Sequence, residues 1–169
     1  PTIELVLMGA MTISGIHFGI LYATITGRRN NIFRSEVVRA YIGMMLIATL
    51  FIAASLRSEG IYPSFLESLR HASFQVVSIT TTSGFATADT NLWTPLAIIL
   101  LVFCSIVCGC AGSTSGGIKV DRLLLATKVI RNRINMQQHP NAVISTKTDG
   151  TVQGDNVLNL VMTFIVAYL

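Results

Sequence analysis

Apolar residues gather into four blocks along this chain, about Glu4 to Thr26, Glu36 to Leu56, Leu92 to Ala111 and Asn156 to Leu169. The stretches between them hold nearly all the charge. Three of the blocks reach or approach the ~20 residues that a helix needs to cross a bilayer. The fourth is still apolar where the sequence stops, and the first starts at Pro1 without an initiator Met or a charged leader. The pattern therefore predicts an all-α membrane protein, seen as an excerpt of a longer polypeptide.

The segment between the second and third blocks has a different pattern. Ile61 to Phe85 is moderately apolar but carries Glu67, Arg70 and His71, which makes it a poor spanning helix. Pro63 suits a first helical position, and Ser64 to Ser78 then reads as a helix of about four turns that dips into the membrane and stops. Next comes Ser78-Ile79-Thr80-Thr81-Thr82-Ser83-Gly84-Phe85-Ala86-Thr87, hydroxyl residues closed by a glycine. Thr is a middling helix former and Gly takes positive φ without cost, so an extended exit with its carbonyls turned to one side is expected. Irregular backbone at membrane depth is permitted only where protein covers it or where it lines a wet cavity. Helix, hydroxyl-rich strand, glycine and return make the arrangement of a carbonyl-lined cation filter, with a Thr/Ser-rich exterior loop as the alternative.

The third block should break. With Pro95 in its first turn it runs apolar through Cys108, and then meets Gly109-Cys110-Ala111-Gly112-Ser113-Thr114-Ser115-Gly116-Gly117-Ile118-Lys119. Each glycine costs a helix ~1 kcal/mol relative to Ala, so an unwound segment is predicted there. Helical spacing resumes over Val120 to Gln138, with Asp121 in the first turn, where the helix dipole favours a carboxylate. One straight helix from Leu92 to Gln138 would be about 70 Å long, more than twice the hydrocarbon core, so a bend or a long extension is required. A nucleotide phosphate loop needs Gly-Lys followed by Ser or Thr, and Gly117-Ile118-Lys119-Val120 breaks that pattern. The remaining readings are a flexible stretch in a conduction path and a tightly packed helix kink.

Composition and charge sharpen this picture. Half the residues are hydrophobic, 51%, and only 12% are charged, against ~25% in soluble domains. Lys and Arg cluster in two regions, Arg28, Arg29, Arg34 and Arg39, and Lys119, Arg122, Lys128, Arg131, Arg133 and Lys147. The positive-inside rule puts both on the cytoplasmic side, leaving Arg57 to Asn91 outside. Cys104, Cys108 and Cys110 lie in or at the end of an apolar block with no His or carboxylate at ligand spacing, which predicts buried packing rather than metal or disulfide. His17 is an intramembrane His and so a functional candidate, or else a hydrogen-bonding group inside the bundle. Lys119 reads either as a membrane-edge anchor or as an electrostatic gate.

Two weak internal matches share one order. Ser14-Gly15-Ile16-His17, with Leu21, Ala23-Thr24 and Arg28, can be laid on Ser115-Gly116-Gly117-Ile118-Lys119, with Leu124, Ala126-Thr127 and Arg131, and Glu36-Val37-Val38 resembles Asp155-Asn156-Val157-Leu158. They predict tandem repeats of span, pore helix and span. On this division, residues 1–27 are the second span of one repeat and residues 35–138 a complete repeat. Residues 139–154 are a cytoplasmic linker, and residues 155–169 the first span of the next repeat.

Phe74-Gln75-Val76-Val77-Ser78, Thr80-Thr81-Thr82-Ser83-Gly84-Phe85, Gly109 through Val120 and His139-Pro140-Asn141-Ala142-Val143 resemble the TrkH branch of the TrkH/KtrB/HKT superfamily of K+ transport proteins. The resemblance implies four such repeats around one pseudo-fourfold pore, a homodimer in the bacterial inner membrane and a cytoplasmic TrkA-type nucleotide-binding regulatory subunit. It implies no enzyme chemistry, no covalent cofactor and no nucleic acid. By this likeness Gly84 is the filter glycine of the third repeat, K+ is held by carbonyls of Thr80, Thr81, Thr82, Ser83 and Gly84, and Gly109, Gly112, Ser113, Thr114, Ser115, Gly116, Gly117 and Lys119 belong to the loop that gates below. Ser115 stands where the family often has glycine, and Asp121 where it has an apolar residue. The expected function is K+ uptake, with Rb+ and Na+ as further permeants; a non-conducting structural subunit and H+- or Na+-coupled symport are the alternatives.

Overall fold

The computed structural model describes residues 2–27, 32, 35–138, 147–149, 151–152 and 154–168. Arg28, Arg29, Arg34 and the His139 to Val143 motif lie outside them. The first apolar block is not one straight span, as the pattern suggested. It forms α1 (Thr2–Ser14) and α2 (Phe18–Ile25), bent by 102° at Gly15 to His17. At the bend His17 leaves helical geometry and caps α2, its Nδ1 accepting the Gly19 N–H at 2.8 Å.

The second block forms α3 (Glu36–Ser58), at about 34 Å long enough to cross a bilayer, and it is the one helix among the described residues that does so alone by length and hydropathy. Ser35 caps it. Val38, Tyr41, Met45, Ala48, Ile52 and Leu56 recur every three or four positions and are buried, forming the spine of the core. On the other side Leu46, Ile47, Leu50 and Phe51 are exposed. A helix apolar on both faces suits a hydrocarbon or protein surround rather than water.

Packed against α3 is α4 (Phe65–Thr80), the expected re-entrant helix, about 24 Å long. It starts later than expected: Ser64 is the cap and Pro63 precedes it. The last two turns of α4 are almost wholly buried, including Phe74, Gln75, Val76, Val77 and Ser78. Near its start a two-pronged ion pair, Arg70 to Glu4 at 2.6 Å for both bonds, fastens it to α1 and pushes the guanidinium pKa further up. A 3-10 turn, Thr90–Leu92, leads into α5 (Pro95–Ile106), with Pro95 in the first turn as expected and Thr94 as cap. The Thr94 hydroxyl also meets Ser55 Oγ at 2.7 Å, tying the head of α5 to α3.

The third block breaks two residues sooner than predicted. α5 ends at Ile106, and Val107–Cys108 (β1) pairs in parallel with Ile118–Lys119 (β2). The chain therefore leaves β1, makes the glycine-rich excursion and returns beside its own starting point before α6 (Val120–Gln138) continues, over the range the spacing predicts. Lys147–Thr148 (β3) and Thr151–Val152 (β4) form a small hairpin ahead of α7 (Asp155–Tyr168). Asp149, in the turn, accepts from Ser35 Oγ and from the Glu36 N–H, both at 2.7 Å. Lys128 Nζ reaches Glu36 at 2.6 Å and Arg122 lies over the Phe164 ring, so α3, α6 and α7 are held together at this end.

Candidate cation filter and gating loop

The hydroxyl-rich run is less extended than its composition suggested. Thr80 is the last residue of α4, Thr81 caps it in right-handed geometry, and Thr82 takes φ +55°. The Ser83 N–H bonds to Ser78 O at 2.9 Å and the Thr82 N–H to Ile79 O at 3.0 Å, the paired bonds of a Schellman helix end. The helix persists because these bonds satisfy the carbonyls of Ser78 and Ile79, and the extended chain begins only at Ser83. A β-branched residue in the left-handed region is strained by about 1–2 kcal/mol. Gly84, at φ +76°, turns the chain onward.

From there the strand climbs back along α4. Ser78 Oγ donates to Phe85 O at 2.6 Å, and Gln75 Nε2 to Ala88 O at 3.1 Å. Two pore-helix side chains three residues apart thus brace the returning strand. Among the described residues, no group donates to the main-chain oxygens of Thr80, Thr81, Thr82, Ser83 or Gly84. Thr80 and Thr81 are buried, while Thr82, Ser83 and Gly84 are exposed.

Beneath this corner sits the glycine loop. Its Gly116 N–H donates to Thr82 Oγ1 at 3.1 Å, a direct bond between the expected filter and the expected gate. Ser113 and Ser115 share a hydroxyl bond of 2.8 Å, and Lys119 Nζ donates to Ser115 O, so the Lys119 ammonium is engaged by the loop itself. Thr114 Oγ1 lies 3.4 Å from Ser14 O. The break between α1 and α2 forms the loop's other wall: the Cys110 N–H bonds to Gly15 O at 2.9 Å and the Phe18 N–H to Gly112 O at 3.2 Å. The two glycine breaks that the sequence aligned therefore pack against each other.

Close approach explains the glycines. A Cβ on Gly109 would stand 2.7 Å from Gly15 O, a main-chain atom that cannot swing aside. Gly112, at φ +70°, would also press a Cβ against the His17 ring at 3.1 Å. His17 thus serves as a cap and packing surface, the bundle-bonding alternative. Cys104, Cys108 and Cys110 are buried free thiols, and among the described residues no group of three His, Cys, Asp or Glu side chains could hold a metal.

Four residues outside the expected filter and gate frame this site. Tyr41 backs Gly15, with its hydroxyl 2.2 Å from where a Cβ there would stand. Asp121 Oδ1 accepts the Ala111 N–H at 3.0 Å. Gln75 and Ser78 stand out only through their i, i+3 spacing on one helix face.

Residues 44–169 match the TrkH family, described as a cation transport protein. The chain belongs to the TrkH family. TrkH relatives are transporters rather than enzymes, and membership makes this a membrane protein. Over 99% of the chain it is 37% identical to the Trk system potassium uptake protein TrkH of Salmonella typhimurium and 35% identical to that of Escherichia coli. The crystal structure of the potassium transporter TrkH from Vibrio parahaemolyticus superposes on 98% of the chain with a TM-score of 0.90 at 32% identity. The chain spans about a third of these TrkH proteins, 35% of the two sequences and 36% of the crystallised chain.

Proposed function

We propose that this chain supplies one complete repeat, residues 35–138, and parts of its two neighbours to a K+ uptake protein of the bacterial inner membrane. In this reading residues 1–27 close the preceding repeat, residues 139–154 link on the cytoplasmic side and residues 155–169 open the next. K+ passes through a filter to which Thr80, Thr81, Thr82, Ser83 and Gly84 contribute carbonyl oxygens, with Rb+ and Na+ as further permeants. The segment Gly109 to Lys119 gates the path below. One repeat provides about a quarter of a ring, so the remaining repeats of the same polypeptide, a homodimeric partner and a TrkA-type regulatory subunit complete the assembly.

The observation that carries this reading is the run of undonated main-chain oxygens at the end of a buried re-entrant helix, directly above a glycine loop bonded to it. Oxygens in that state can replace the hydration shell of a cation. The helix C-terminus adds partial negative charge at the same place. In this reading the work is selection and passage without covalent chemistry.

The test is Gly84→Ser in the full-length protein, expressed in a host that depends on it for K+. At φ +76° any side chain is strained by about 1–2 kcal/mol although nothing lies within 4 Å, so the damage falls on strand geometry rather than on packing. Rb+ uptake should fall sharply and preference for K+ over Na+ should weaken. Unchanged uptake and selectivity would remove the filter assignment and leave a structural membrane subunit.

A further inference from the structure

We infer that Asp121 is a positioning residue that latches the gating loop shut, gripping the backbone of the loop from the first turn of α6. The inference rests on the reading of Gly109 to Lys119 as a gate. A carboxylate in a first helical turn ordinarily serves the free N–H groups of its own helix. The Asp121 carboxylate instead accepts at 3.0 Å from the N–H of Ala111, in the descending limb of the loop.

The loop's other bonds show what this one adds. Cys110 N–H and Gly112 O are held by the break between α1 and α2, and the Gly116 N–H by Thr82. Lys119 Nζ holds Ser115 O from β2, ahead of the helix. Where α6 itself begins, the Val120 N–H bonds to Gly109 O at 3.2 Å, at the root of the loop. Asp121 is the α6 side chain that reaches further in, so it makes the position of Ala111 depend on the position of α6. Downstream, α6 is paired through Lys128 with Glu36 and packs on α7 through Arg122 and Phe164. A tilt or rotation of α6 that displaces its first turn draws the carboxylate from Ala111 and frees that limb of the loop. The bond is charge-assisted and therefore stronger than a neutral one, and its loss shifts a closed-to-open balance by about tenfold.

The experiment measures Rb+ leak through the full-length protein in liposomes, with three variants beside the unsubstituted protein. Asp121→Ala removes the acceptor and should raise leak about tenfold, with the KM for K+ and the K+ over Na+ preference unchanged, because the filter oxygens are untouched. Asp121→Asn keeps an oxygen at the same reach and should stay within about threefold of the unsubstituted protein. If Asp121→Ala does not accumulate, Asp121→Ser replaces it, its hydroxyl being too short to reach Ala111. Deletion of Gly112 to Gly116 should leak in any case. Leak from the deletion with none from Asp121→Ala overturns the latch and leaves the gate standing. No leak from either overturns both. Equal leak from Asp121→Asn and Asp121→Ala also overturns the latch, since charge and not the bond to Ala111 would then be what matters.

Discussion

Among the described residues the contact between Gly116 N–H and Thr82 Oγ1 is the one hydrogen bond from the loop to the filter corner, and Thr82→Val removes it. Val matches Thr in branching, so the strain at φ +55° is retained while a methyl replaces the hydroxyl. A net hydrogen bond is worth about 0.5–1.5 kcal/mol, which corresponds to roughly a twofold to thirteenfold change in the fraction of open loop. The new methyl takes the place of Oγ1, 3.1 Å from the Gly116 nitrogen, and this close contact also favours displacement of the loop. Rb+ flux through the full-length protein in liposomes should rise within that range, while Thr82→Ser, which keeps the hydroxyl, should change it little. Thr82→Gly loses the bond but sheds about 1–2 kcal/mol of backbone strain, so it should melt higher than Thr82→Val. The K+ over Na+ preference should persist in all three, since a main-chain oxygen survives each substitution. Flux that is unchanged in Thr82→Val, or that falls together with selectivity, would refute the idea that this hydroxyl restrains the loop.

Gly15→Ala should destabilise the full-length protein by about 1–3 kcal/mol, since its Cβ would stand 2.2 Å from the hydroxyl of the fully buried Tyr41. Adding Tyr41→Phe should return part of the lost Tm, and a double variant no better than the single one would count against this contact. Asp149→Ala should release the start of α3 at a cost of about 0.5–2 kcal/mol, seen as roughly twofold to thirtyfold faster hydrogen exchange at Glu36 and Val38. Amides in Pro95–Ile106 should be unaffected, and equal acceleration there would indicate general loosening instead.

Block pattern and composition were enough to indicate a helical membrane protein, because crossing a bilayer demands long apolar runs whatever they pack against. α3 and α6 could be read almost to the residue, α3 as an apolar block and α6 from its helical spacing. The re-entrant helix was legible too, from its charged start and hydroxyl-rich end. What local pattern could not supply was the bend at Gly15 to His17 and the helical persistence through Thr80. The bend is capped by His17 and held by contacts with the glycine loop at the end of the third block. The helix end is held by a Schellman pair that a run of Thr does not advertise.

The candidate site divides along the same line. Glycine and hydroxyl content marked Thr80 to Gly84 and Gly109 to Lys119, because few other residue types tolerate such backbone at membrane depth. That the two segments touch, that the α1–α2 break forms the loop's wall, and that Tyr41, Asp121 and Asp149 brace the arrangement were decided only by the tertiary structure. These bonds join residues from 10 to 114 positions apart, as with Asp121 to Ala111 and Ser35 to Asp149. A sequence specifies local backbone preference directly, whereas partners this distant are chosen by how whole helices pack.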